Sequence, residues 1–141
     1  MLLPWALFLF IGAFDWGFFA WDLIATENAA RVAAMYTSSN AGTVSDSAGA
    51  CAYALAQLAY APNVASNPRI NSSTPLPVGV GTGATCNSAP VTVVATSLTG
   101  PDGSPASQVS VTYQTPLLIP IPGVLPNQVN ITRVVKMRRR T

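Results

Sequence analysis

The hydrophobic pattern divides the chain into an apolar beginning and a mixed remainder. Residues 2–20 form an apolar run with a single charged side chain, Asp15. A helix of about 20 residues reaches about 30 Å, the thickness of a bilayer's hydrocarbon core. A cleaved signal peptide would have a basic region before the run and small residues after it. Since neither is seen here, the pattern favours a helix that lies in a membrane or in the core of a filament.

The helical pattern continues beyond the apolar run. Residues 21–35 contain no Gly or Pro and are rich in good helix formers. Asp22, Glu27 and Arg31 fall on a polar stripe, in which Glu27 and Arg31 have the i, i+4 spacing of a helical ion pair. An apolar stripe is expected from Leu23, Ala30, Ala33 and Ala34. The sequence therefore predicts one continuous helix over residues 3–38.

Weaker patterns predict the remaining elements. Turn-forming residues at 38–42 end the long helix, and a second helix is expected at 45–60, capped by Ser45 or Asp46 and closed by Pro62. Residues 62–90 predict a loop. Strands are expected at 90–98, 108–113 and 128–137, because apolar and polar residues alternate there. A hairpin turn is expected at 100–105, and the proline-rich apolar residues 116–126 predict an extended excursion.

These elements predict an α+β fold. A long N-terminal hydrophobic helix is followed by a short helix and a small antiparallel sheet of about three strands, packed on the outer half of the long helix. Residues 1–38 form the long helix, with a transmembrane or filament-core part at 1–21 and an amphipathic part at 22–38. Residues 39–141 form the exposed domain.

Composition sharpens this division, because every Phe and Trp of the chain lies in the first 21 residues. A globular domain normally places some of its largest side chains in its own core. Their location predicts burial against lipid or against other copies of the chain. The expected packing residues are Trp5, Phe8, Phe10, Gly12, Phe14, Asp15, Trp16, Gly17, Phe18, Phe19 and Trp21.

Charge and residue inventory argue against an enzyme. The chain has no histidine, five carboxylates and only 9% charged residues, so His-dependent acid–base, nucleophilic and metal chemistry is excluded. The glycines at 79–83 precede no helix and predict a loop rather than a phosphate site. We therefore expect no catalytic residue, cofactor or metal. The positive charge is concentrated near the C-terminus, and the remainder is slightly acidic, which does not indicate nucleic-acid binding.

Cys51 and Cys86 are the only two cysteines. They lack the CxxC spacing of zinc or redox sites. An even pair in a Ser-, Thr- and Pro-rich domain that is expected to be exported favours a disulfide. Two reduced thiols in a small core are the alternative.

Three passages resemble the TadE-like family of tight-adherence pili, within the type IV pilin superfamily. The first is Pro4, an apolar run and G-A-F-D-W-G at 12–17, and the second is N-A-A-R at 28–31. The third is the V-S-V-T-Y strand at 109–113, followed by the proline-rich excursion and a final strand with basic residues. The family carries a basic leader and a prepilin peptidase site before the proline, and no residue here is assigned to them.

The resemblance implies a structural subunit that assembles through its N-terminal helix into an extracellular filament for adhesion or surface attachment. Its implied partners are other copies of itself, membrane lipid before assembly, an assembly ATPase and a membrane platform. It would be held in the inner or cytoplasmic membrane and then move to the filament. The alternatives are a minor pseudopilin that primes another pilus, and a membrane-anchored adhesin or binding module that never polymerises.

Several residues allow two interpretations. Asp15 either pairs with a neighbour's cation or N-terminal amine, or lies at the membrane edge within a tryptophan belt. Gly12, Gly17 and the alanines at 29, 30, 33 and 34 permit close approach of helices, and they are either packing surfaces in an assembly or of little meaning in a lone anchor. Asn71 and Asn130 match the N-x-[ST] glycosylation motif. The tail arginines 138–140 are either solvated or attract anionic surfaces.

Overall fold

The computed structural model describes residues 2–65, 86–116 and 128–140. Helix α1 spans Leu3–Thr37, α2 spans Ser47–Gln57 and the short α3 spans Pro62–Ala65. The strands are β1 (Asn87–Ser88), β2 (Val91–Thr99), β3 (Pro105–Pro116) and β4 (Gln128–Arg138). All neighbours in the sheet are antiparallel, in the order β1-β2-β3-β4. The predicted α+β class and arrangement are confirmed.

The details differ from the sequence prediction in three places. The sheet has four strands rather than three, because the two-residue β1 pairs with β2. The second helix ends at Gln57 instead of residue 60, and Pro62 begins α3 rather than closing α2. Proline is favoured at a first helical position, where its missing N–H is no loss. The predicted excursion at 116–126 falls, after Pro116, outside the described residues, as does most of the predicted loop at 62–90.

Strand β3 is twice as long as the strand predicted at 108–113, and it is central to the sheet. It pairs with β2 from Val91 to Thr99 and with β4 from Gln128 to Arg138. Its ends were missed because Pro105 and Pro116 flank residues that alternate weakly, and pairing on both sides stabilises strands whose own pattern is poor.

Small residues bring the helices and the sheet together. Ala29, Ala30, Ala33 and Ala34 of α1 are fully buried where the helix packs on α2, β3 and β4. Alanines of α2 meet them, and alanine lets two helix backbones approach closely because its side chain is a single methyl group. The core contains no Phe or Trp, and its largest fully buried side chain is Tyr113.

Hydrogen bonds fix both ends of this packing. At one end Thr37 Oγ1 donates to Ser107 Oγ at 3.0 Å, tying the end of α1 to β3. At the other end Tyr113 Oη donates to Asn63 Oδ1 at 2.7 Å, tying β3 to α3. We call residues 3–21 of α1 the stem, and the other described residues, including residues 22–37 of α1, the head.

Candidate functional site

Most of the large apolar side chains of the stem are not covered by the head. Trp5, Phe10 and Trp16 are 72%, 72% and 74% exposed. Within the described part of the chain, α1 is the one helix long and apolar enough to cross a membrane, and its most apolar stretch is only 6% buried. Monomeric soluble proteins rarely expose contiguous apolar surface on this scale. Such a surface is typical of a segment that contacts a membrane or another protein, and by length and composition α1 could span a membrane.

The stem surface has ridges and depressions that suit packing against other helices. The rings of Phe14 and Phe18 pack one turn apart in a tilted arrangement with their centroids 5.2 Å apart, and the ring centroids of Trp16 and Phe19 are 6.1 Å apart. Gly12 and Gly17 leave the helix backbone bare, since a Cβ at either position would meet nothing within 4 Å. Aromatic ridges beside bare backbone are the features that interlocking helices use.

Asp15 is the one charged residue of the stem. Its side chain is half-buried, and Oδ2 is shielded from solvent without a hydrogen-bond partner among the described residues. A shielded carboxylate oxygen without a partner costs free energy. The arrangement is compatible with both interpretations of Asp15 from the sequence.

Asp22 lies where the stem enters the head, and its predicted position on a polar stripe is wrong. The residue is 4% exposed and shares the buried face with Thr26 and the alanines, whereas Leu23 is only half-buried. Its Oδ1 has no hydrogen-bond partner among the described residues. Burial raises the pKa of Asp22 to about 6. The face of α1 that becomes buried depends on where β3 and β4 contact the helix. The periodicity of apolar residues along the helix does not specify that position.

Glu27 joins the helix to the sheet. Arg31 Nη2 lies 3.0 Å from Glu27 Oε1, and Arg133 Nε of β4 lies 3.4 Å from Glu27 Oε2. Sequence reasoning paired Glu27 with Arg31 and missed Arg133. Strand alternation carried the missing signal, because Arg133 shares the helix-facing side of β4 with Ile131 and Val135. Ion pairs this exposed contribute at most about 1 kcal/mol each, and only the pair with Arg133 joins α1 to β4.

A polar cluster at the far end of the head was also missed. Tyr36 Oη donates to Asp46 Oδ2 at 2.7 Å, while the backbone N–H of Gly49 donates to Asp46 Oδ1 at 3.0 Å and completes the cap of α2. The N–H of Gly49 and the hydroxyl of Tyr36 lower the pKa of Asp46. The hydrogen bond between Tyr36 and Asp46, together with burial, raises the pKa of Tyr36 to about 12. Asp46 is one of the two predicted caps.

The disulfide between Cys51 and Cys86 is present and resolves the two alternatives for these cysteines. It joins α2 to the residue before β1 across 35 positions of sequence. Both cysteines are buried in the head core.

The other candidate residues are scattered. Asn71 lies outside the described residues, and Asn130 lies exposed on the outer side of β4. Arg138 pairs with Asp102 at 3.3 Å, and the backbone N–H of Arg140 donates to the carbonyl of Ser38 at 2.9 Å. No group of three or more His, Cys, Asp or Glu residues that could hold a metal occurs within residues 2–65, 86–116 and 128–140.

Comparison with known proteins adds no relative. No family model, curated protein or solved structure matches the chain significantly.

Proposed function

We propose that this chain is a pilin-like structural subunit that polymerises into an extracellular filament through its stem, for adhesion or surface attachment. The observation that carries the proposal is the division of one 35-residue helix into an exposed aromatic stem and an alanine-lined part buried in the head. A membrane anchor alone needs only apolar character. Rows of aromatic side chains beside exposed glycine backbone give the stem a surface shape that favours close packing between helices.

The proposed mechanism is an exchange of contacts. Before assembly the stem lies in the membrane, where lipid covers Trp5, Phe10 and Trp16. During assembly the stem leaves lipid for a bundle of identical stems, and the heads form the outer shell. The hydrophobic effect changes little in this exchange, because lipid tails are as apolar as the stems. Packing shape and the pairing of any buried charge therefore decide the register of the filament.

The chain itself then needs no catalytic group. The work of extracting a stem from the bilayer would come from an assembly ATPase acting through a membrane platform, the partners implied by the resemblance to tight-adherence pili. The features that support the proposal are an apolar helix and a disulfide-bonded head.

Electron microscopy of material sheared from the cell surface tests this proposal, together with mass spectrometry of the filament protein and its mature N-terminus. We expect filaments in which this chain is the dominant component. Trace amounts in filaments of another subunit would indicate a priming pseudopilin. A chain recovered only as a monomer from detergent-extracted membranes would contradict polymerisation and indicate an anchored binding module.

A matched pair of variants separates assembly from folding. Asp15→Ala removes the carboxylate of the stem, whereas Asp46→Ala removes a helix cap in the head, which contributes about 0.5–2 kcal/mol to stability. We expect Asp15→Ala to reduce filament yield or change filament symmetry while the head stays folded. Asp46→Ala should lower head stability and leave filament symmetry unchanged. Equal filaments from both variants would place Asp15 at the membrane edge.

A further inference from the structure

The carboxylates of the chain divide into those with partners and those without. Glu27 binds two arginines, Asp46 caps α2, and Asp102 pairs with Arg138. The other two of the five carboxylates, Asp15 and Asp22, have an oxygen shielded from solvent that no described residue satisfies. Asp22 is covered by the head, so a large cation from outside has no access to it. Asp15 lies on the open stem and is accessible.

The described cationic side chains likewise divide into those with an ion-pair partner and those without. Arg31, Arg133 and Arg138 are paired within the chain. The side chains of Lys136, Arg139 and Arg140 make no ion pair with any described residue. All three lie at the C-terminal end of β4.

The unpaired charges of opposite sign lie at opposite ends of the molecule. The backbone N–H of Arg140 donates to Ser38, so the tail arginines lie at the C-terminal end of α1. Asp15 precedes Ser38 by 23 positions, which corresponds to about 35 Å along the helix. Arginine side chains do not reach across this distance. The charges therefore cannot pair within one chain, but they can pair between two copies offset along a common axis.

We propose that Asp15 of one copy pairs with Arg139 and Arg140 of a second copy, and that this contact sets the axial offset between neighbouring subunits. The inference rests on the proposed filament. The contact joins two different surfaces, so it repeats from copy to copy and builds an open helical assembly rather than a closed pair. Parallel stems place the Asp15 of an upper copy beside the α1 end of a copy about 35 Å below it.

The side of the sheet decides which cations take part. Odd-numbered residues of β4 face α1 and even-numbered residues face outward, so Lys136 lies exposed on the outer side. Arg139 and Arg140 follow the last residue of β4, so the alternation does not extend to them. Arg139 is half-buried, and the backbone N–H of the exposed Arg140 donates to Ser38 at the end of α1. Stems of neighbouring copies would lie on the α1 side of each head. Lys136 has the same charge at the same end of the strand but faces away, and it serves as a matched control.

Cysteine cross-linking tests the contact directly in the full chain. The native cysteines are already bonded to each other, so Asp15→Cys combined with Arg140→Cys introduces the one new pair. The new disulfide would take the place of the ion pair, so we expect filaments of this double variant that run as a ladder of multimers on non-reducing gels. The control pair, Asp15→Cys with Lys136→Cys, should form no cross-link and run as monomers. Intact filaments without a ladder would overturn the contact and leave the filament proposal standing. Absence of filaments from the unaltered chain would overturn both.

Charge exchange supplies a second readout. Arg139→Glu with Arg140→Glu should reduce filament yield by more than about tenfold, because an unpaired charge is costly to bury in an interface. Asp15→Arg should do the same, and the combination of all three changes should restore filaments. Lys136→Glu should have no effect. Normal filaments from the Glu variant, with lost binding to anionic lipid vesicles, would assign the tail to an external surface and overturn the contact.

Discussion

The two halves of helix α1 share one backbone and differ in what covers them. Residues 22–37 turn alanine and threonine towards α2, β3 and β4, and these side chains are buried. Residues 3–21 carry all of the chain's Phe and Trp, and most of these rings are exposed. Side-chain size therefore decides the partner. Small residues permit close packing inside one chain, whereas large rings need a surface that the chain itself does not provide.

The head compensates for its small core by other means. Its buried side chains are mainly Ala and Val, each of which removes less apolar area from water than Phe or Trp does. A disulfide, a capped helix and hydrogen bonds between elements supply the difference. The stem has none of these, because it is one helix whose backbone is satisfied internally. Perturbations should therefore act on assembly in the stem and on stability in the head.

Removal of residues 1–21 is the change with the largest expected effect. The remaining head should be soluble and monomeric, because every Phe and Trp is lost with the stem. The full chain in detergent should associate. Size-exclusion chromatography with light scattering measures both. Filaments formed by the isolated head would show that the stem is not the assembly surface.

Loss of the disulfide should be the most damaging point change in the head. Cys51→Ser opens a loop closed across 35 positions, which should lower the free energy of unfolding by roughly 3.5–4 kcal/mol in the chain-entropy model. Cys86→Ser should have the same effect, and the double variant should be no worse. Thermal unfolding of the isolated head measures this. Additive losses would instead indicate two independent packing contributions.

Asp22→Asn should change the pH dependence of stability. Burial raises the pKa of Asp22 from 3.8 to about 6. Between these pH values the carboxyl group is protonated in the folded state and ionised in the unfolded state. The contribution of Asp22 to the free energy of unfolding is therefore fully present below about pH 4 and falls by up to about 3 kcal/mol as the pH rises past 6. Tyr113, which faces Asp22 from β3, stays neutral throughout because burial and that carboxylate raise its pKa.

The test is unfolding of the full chain in detergent between pH 4 and pH 8. Asp22→Asn should flatten this fall and raise stability at neutral pH. Asp46→Asn is a control of opposite sign, since its pKa is lowered and its contribution is lost as the pH falls. An unchanged pH profile for Asp22→Asn would show that this carboxylate is solvated.

A pair of glycine-to-alanine variants should give the smallest effects, and it compares the head with the stem most selectively. In the head, a Cβ at Gly49 would collide with the ring and hydroxyl of Tyr36, so Gly49→Ala should cost about 1–3 kcal/mol. In the stem, a Cβ at Gly12 would meet no described residue within 4 Å, so Gly12→Ala should leave the melting temperature of the head unchanged. If Gly12 is a packing surface, the same variant should reduce filament yield. Equal destabilisation by both variants would remove the distinction between stem and head.

The sequence by itself determined the elements with strong local signals. The stem follows from an apolar run with one charged residue, the rest of α1 from residues 21–35, which contain no Gly or Pro, and the hairpin from its turn residues between alternating strands. The α+β class followed from their order. Asp46 was among the predicted caps because a cap acts within one helical turn. In each case the stabilising contact lies close in sequence, so local pattern contains the information.

Tertiary structure decided what depends on distant contacts. The burial of Asp22 results from where β3 and β4 meet α1, and the short β1 exists only because β2 offers it an edge. Arg133 reaches Glu27 across more than a hundred residues because strand register turns it towards the helix. The bonding of Cys51 to Cys86 likewise required α2 and the start of β1 to meet. Periodicity can indicate which side of a strand or helix a residue lies on, but it does not identify the partner, because each partner is brought close by the fold rather than by its neighbours in sequence.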